Sequence, residues 1–361
     1  MLAATVGALA LLLAGCGGPA SAAQTSTVVV AGGSQVRALD GATLATVRSW
    51  ALGDPVSALL PDRRAVVAIT SGLRAELWRL DPGQREAAHR RLGLIPAAAK
   101  LDPASDALYV AGTNADGQGL LQARDRVSGA LRWQHALNAP ATAIALAPGN
   151  LLLAATTSGR IEMFSLAGAR SAGTLQLDAA ARELLALPYG HEAFALTDAR
   201  LALLDTARSG ILAYLPVGDH PQHMILKPDG GELYVSDAGG TVTVLDTSTG
   251  EVSATLAAGL GADAMAVTPD GSLLFVANAS SGTLSATNLA TRKPAAFLRL
   301  GMQPRALALA PGGYLFAADS GSNDLAVVRL GSDANHPYAL MTLLPTVPAP
   351  ARLAVLPQVR P

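Results

Sequence analysis

Cys16 is the only cysteine of this 361-residue chain, and its surroundings are the most specific chemistry the sequence carries. A thiol is a nucleophile that can be acylated, oxidised or metal-bound, and this one closes an uncharged run, Leu2 to Ala14 (LAATVGALALLLA), with Gly15 between them. Thirteen helical residues reach roughly 20 Å, short of the ~30 Å hydrocarbon core of a membrane, and suit the apolar region of a secretory signal. A single Cys also excludes a disulfide framework and an all-Cys metal site. The second group able to do chemistry is His220-Pro221-Gln222-His223. Two imidazoles three residues apart could ligate a metal or a heme iron, with His336 as the one further candidate ligand; the same segment also reads as an ordinary linker between repeats. Other catalytic patterns fail. There is no Gly-x-Ser-x-Gly elbow and no phosphate-binding Gly-x-x-x-x-Gly-Lys loop. His191-Glu192 opens a zinc-protease pattern, but Ala195 stands where its second His belongs, and Gly259-Leu260-Gly261 lacks a following helix.

The segment Leu13-Ala14-Gly15-Cys16 resembles the lipobox of bacterial lipoproteins. The resemblance implies a diacylglyceryl thioether on Cys16, cleavage just before it and acylation of the freed amine. Residues 1–15 are then a lipoprotein signal peptide and residues 16–26, small, polar and rich in Gly and Ser, a flexible tether. No Lys or Arg precedes the apolar run, which departs from the usual signal. Several acyl chains at about 0.8 kcal/mol per buried CH₂ hold a protein firmly to a bilayer. The expected location is exported and membrane-anchored. With Gly17 rather than Asp after the cysteine, the resemblance points to the outer membrane, facing the periplasm, in a cell that has one, and otherwise to the cell surface.

Composition narrows the remainder. Half the residues are hydrophobic and 15% charged, with 26 Lys+Arg against 27 Asp+Glu for a net charge of −1. That apolar content is too high for a disordered chain, and the near-neutral balance without basic blocks removes the electrostatic footprint of nucleic-acid binding. Gly (36) and Pro (22) punctuate short apolar runs throughout, as in all-β architectures.

One apolar strand recurs, ending each time in proline: SALLPD, AAAKLDP, AIALAP, LLALPY, MILKPD, MAVTPD, LALAPG and LAVLPQ. The prolines, from Pro61 to Pro357, lie 40 to 46 residues apart. This period suits the four-stranded blades of a propeller. Units such as PDGGELYVSDAGGTVTVLDTSTGEVSATL contain a tight Pro-Asp-Gly turn, an alternating strand, a polar turn and a further strand. They resemble the YVTN-type (YncE-like) β-propeller repeat, strongly over residues 218–330 and more loosely over 55–217. No Trp-Asp dipeptide occurs, which argues against the WD40 type. The fold expected is all-β: a propeller over residues 27–357, with eight four-stranded blades, or seven as the alternative. Residues 27–52 lack a first strand and Arg352–Pro357 is an orphan first strand, so the two termini should complete one blade and close the ring.

RDRVSGALRW (124–133) and RALDGATLATVRSW (37–50) are similar to the docking element of quinoprotein propellers, whose Trp packs between blades. This raises the eight-bladed lipoprotein of the outer-membrane barrel-assembly machine as one alternative. The heme d1-related propellers, through His220, and lactone hydrolases are others. First strands line the axis of a propeller and the linkers entering them form one rim, which here carries Asp54, Asn138, Asp178, His220, His223, Asp263, Gln303 and Arg305. This polar, mixed-sign set suits recognition of an envelope protein or polar ligand better than turnover, with no cofactor or metal implied. Metabolic labelling with a radioactive fatty acid tests the anchor. Wild type should be labelled and Cys16→Ala should not; equal labelling, or a mature protein that starts beyond Ala23, removes the anchor.

Overall fold

The computed structural model describes residues 26–102, 104–166, 170–331 and 338–357. The expected signal peptide, Cys16 and His336 lie outside the described residues, as does the tether up to residue 25. Thirty-two strands among the described residues form eight four-stranded antiparallel sheets. Blade 1 takes Ser26–Gly32, Gln35–Asp40 and Thr46–Ala51 from the start of the chain and Pro350–Pro357 from its end. Blades 2 to 8 follow in sequence. Their innermost strands are Val56–Asp62, Ile95–Asp102, Ala141–Ala147, Glu183–Ala186, Pro221–Leu226, Ala262–Val267 and Pro304–Ala310. Each innermost strand packs against that of the next blade, and Pro304–Ala310 returns to Pro350–Pro357. The ring is therefore closed with eight blades, not seven.

The periodicity of each strand follows from its place in the blade. A middle strand is covered on both faces by neighbouring blades, so it reads as a continuous apolar run. Ser26–Gly32 and Ala65–Thr70 are buried at every position. Successive side chains serve opposite interfaces: Val28 packs with Phe316 of blade 8, and Val29 with Val66 and Ala68 of blade 2. Eight such clusters, one at each junction between blades, take the place of a single core. Outer strands touch solvent and alternate, as Lys293–Arg299 does. Trp50 and Trp133 pack into the clusters between blades 1 and 2 and between blades 3 and 4, where the docking-element resemblance puts them.

A polar staple ties the inter-blade linker to the end of the second strand in blades 6 to 8. In blade 6, Thr241 donates its hydroxyl to Asp237, whose carboxylate fills the space above Gly218. In blade 7, Asn278 donates to the hydroxyls of Thr283 (3.1 Å) and Ser285 (2.8 Å) beside Gly259. Blade 8 places Asp324 directly across from Asp319, which accepts the Gly301 N–H at 3.0 Å. Burial, reinforced by the hydrogen bond with Asp324, pushes the Asp319 carboxyl up to about 8. The stabilisation from this pair is thus full in acid and is lost as pH rises through about 8.

Closure depends on the register Ser26↔Pro357 through Ala31↔Arg352, with a bulge where Gly32 meets Pro350. A Cβ at Gly32 would lie 2.2 Å from the Pro348 carbonyl oxygen, so only glycine admits the returning chain there. Deleting residues 350–361 should lower the melting temperature of the whole ring. Loss of buried Ala354 and Leu356 alone costs on the order of 3–5 kcal/mol. A truncated chain that melts where the full chain does would contradict closure through this strand.

Candidate functional site

The innermost strands share one irregularity. Seven of the eight carry an extra residue near their start, a β-bulge against the second strand; only Glu183–Ala186 lacks it. A bulge re-aims a side chain, and these fall on Ser57, Ala97, Thr142, Gln222–His223, Asp263–Ala264, Arg305 and Ala351. The same residues line two cavities, of about 720 and 510 Å³. The larger takes its walls from blades 6, 7, 8 and 1, the smaller from blades 2 to 6, and they meet at Gln222 and His223. Together they draw on all eight blades and form the mouth of the axial channel.

Charge at this mouth is concentrated on one side. His223 donates Nε2–H to Asp263 Oδ1 at 3.1 Å, while Nδ1 stands 3.6 Å from Glu183 Oε2. A ring with a carboxylate at each nitrogen is satisfied only as imidazolium. The Asp263 hydrogen bond first, and Glu183 second, raise the His223 pKa to about 9 against the opposing effect of burial. Its side chain remains 53% exposed, which limits what the pair contributes to stability. Asp263 also accepts Arg305 Nη1–H at 2.9 Å. Burial works to raise the Asp263 carboxyl, but His223 and Arg305 outweigh it and hold it below its ordinary value. Arg352, on the closing strand, donates Nε–H to the Ser57 carbonyl at 2.9 Å and so bridges blades 1 and 2. Burial lowers its pKa, and the nearby Asp263 charge opposes that. Glu183 Oε2 accepts the Met224 N–H at 3.0 Å, which fixes the carboxylate behind the imidazole.

Of the eight rim residues expected from sequence, three meet here: His223, Asp263 and Arg305. Gln303 lines a side cavity of about 180 Å³ with Asp263 and Arg305. Its backbone is left-handed (φ 53°), and its carbonyl accepts the Ser320 N–H and hydroxyl. His220 occupies the equivalent left-handed position (φ 55°), where the sister linker has Gly261 (φ 73°), and its side chain is exposed. It is a turn residue, and the ring nitrogens of His223 are already directed at carboxylates. No group of three His, Cys, Asp or Glu able to hold a metal ion is found among the described residues. Asn138, Asp178 and Asp54 line neither axial cavity. The first gives its N–H to Glu162 and its amide to Ser158, the second pairs with Arg200 at 3.1 Å, and Asp54 is half-buried in the linker between blades 1 and 2. The sequence reading missed Glu183, Gln222 and Arg352. For Arg352 the signal is present in the sequence, since it is the polar residue at the start of the orphan first strand, and first strands line the axis.

Fold and site together define the class, an eight-bladed β-propeller with a charged axial mouth. The chain belongs to the family described as outer membrane protein assembly factor BamB, whose sequence pattern matches residues 8–215, more than half its length. No curated protein matches it. Similar solved structures include the computationally designed protein Ika8, at TM-score 0.69 and 15% identity over 85% of this chain and 97% of that one. Hydrazine synthase of Kuenenia stuttgartiensis follows at TM-score 0.57 and 15% identity, with 75% and 93% covered. The Cps50 (Swd1) β-propeller domain of Myceliophteria thermophila gives 0.54 and 16%, with 72% and 89% covered. At these identities the likeness shows the fold alone.

An NMR titration of the His223 ring should give a midpoint near 9. In Asp263→Asn, which removes the larger cause, it should fall toward the ordinary value of about 6.5. A wild-type midpoint near 6.5 would remove the imidazolium bridge.

Proposed function

We propose that this chain is an exported lipoprotein, anchored through acyl chains on Cys16, whose propeller scaffolds other proteins at the cell envelope without catalysing a reaction. The particular role we assign is that named by its family, assembly of outer-membrane proteins. The observation that carries this reading is the family match over residues 8–215. Three features agree with it. A ring closed by pairing of its two ends, with only the short outermost strand of each blade left as an edge, is a stiff platform for partners. The rim residues that miss the axial mouth remain on the linkers, where a partner could reach them. The segment 16–25 has the composition of a tether long enough to lift the ring off a membrane. The later repeats, over 218–330, keep the YVTN-type pattern, and we assign them to the same ring rather than to a separate activity.

Affinity capture from detergent-solubilised membranes is the decisive experiment. Stoichiometric recovery of barrel-assembly subunits is expected, together with loss of membrane retention in Cys16→Ala. A preparation that captures no partner and is coloured, with absorption lost in His220→Ala, would replace scaffolding by a heme-carrying role.

A further inference from the structure

We propose that the axial mouth formed by His223, Arg305 and Arg352 is a binding site for a carboxylate, carried either by a small organic acid or by an acidic side chain of a peptide. The inference goes beyond the scaffolding role and stands whether or not the chain is anchored. Its first ground is an imbalance of charge in a confined space. Asp263 is contacted by His223 and Arg305 and lies within electrostatic reach of Arg352. Glu183 is the second carboxylate at the imidazole. Three cations thus face two carboxylates that are already engaged, and Lys100 adds a further positive charge on the wall of the adjoining cavity.

The second ground is donor geometry. Arg305 spends Nη1 on Asp263 and its side chain is 49% exposed, so the rest of its N–H fork opens into the cavity. Arg352 is fixed by Nε and Nη1 to the carbonyls of Ser57 and Ala351. A guanidinium held in place loses little freedom on binding and matches a carboxylate edge. The third ground is the floor beneath them. Met265, Leu307 and Leu353 line the same cavity and are partly buried, and an apolar wall strengthens ion pairing relative to water. The charge count admits one or two carboxylates, since His223, Arg305, Arg352 and Lys100 carry four positive charges against two on Asp263 and Glu183, and the planar guanidinium forks match carboxylate edges.

Titration calorimetry on the full-length protein in an uncharged detergent tests the site. The probes are glutarate and a capped hexapeptide of alternating Glu and Ser, with glutaramide and the Gln-for-Glu peptide as neutral controls. Binding of one or both acidic probes, weakened about tenfold or more in Arg352→Gln and Arg305→Gln and by added salt, is expected. Glutarate alone would identify a small acid as the source, and the Glu peptide an acidic segment. Arg352 also joins two blades, so its variant is accepted only if its melting temperature is retained; Arg305, half exposed, provides the independent variant. Failure of both acidic probes, equal binding of the neutral controls, or unchanged affinity in Arg305→Gln overturns the proposal.

Discussion

The antiparallel pairing of Ser26–Gly32 with Pro350–Pro357 is the contact on which the rest of this molecule depends. Each blade buries its apolar faces against two neighbours, so no blade has a core of its own and every junction needs the one before and the one after. A linear array of such blades would leave one apolar face uncovered at each end. Joining the ends removes both faces at once and also covers the edge of a strand that reads Val28-Val29-Val30-Ala31, the kind of edge other chains pair with. The closing strand brings more than hydrogen bonds. It delivers Leu353 and Val355 to the cluster of blades 8 and 1, Ala354 and Leu356 to that of blades 1 and 2, and Arg352 to the axis.

Most of the fold could be read from sequence because each blade repeats a local rule. The proline that ends each innermost strand and the turn after it are properties of a few adjacent residues, and eight of them at even spacing fix the number of blades. Closure was legible too, since an incomplete first unit and an orphan last strand fit only each other. The site was legible in part. His223, Asp263 and Arg305 stand out as polar residues at the start of first strands. Asn138 and Asp178 belong to the same linkers, yet local partners such as Glu162 and Arg200 hold them on the rim. What separates the two groups is a bulge, and a bulge is set by pairing between strands rather than by residue type. Glu183 escaped notice because its strand is the one without the bulge, in a unit with a weaker repeat pattern. The reach of Arg352 toward Asp263 crosses a blade and exists only in the closed ring.

The blade 8 staple illustrates how one position can carry different chemistry at constant geometry. Thr241 and Thr283 supply hydroxyls where Asp324 supplies a carboxyl, and the glycine of the linker leaves room for each. Two carboxyls in contact are neutralised most simply by a shared proton. Burial and the facing Asp324 carboxyl favour the protonated form of Asp319, at the junction next to the closing strand.

The order in which a chain is made sets a schedule for this architecture. Ser26–Gly32 is synthesised well before its partner, which starts at Pro350, 318 residues after Gly32. At about 5–20 residues per second, that valine-rich edge waits roughly 15–60 s for its neighbour. Hairpins form within microseconds, so the other blades can assemble while the first stays incomplete. The last blade to be finished is the first to have begun. The axial arginine arrives with the strand that finishes it, so a chain interrupted before residue 352 has neither a sealed ring nor a complete mouth. Quality control by a protease or a holding chaperone can recognise this unpaired edge, which disappears when the closing strand pairs with it.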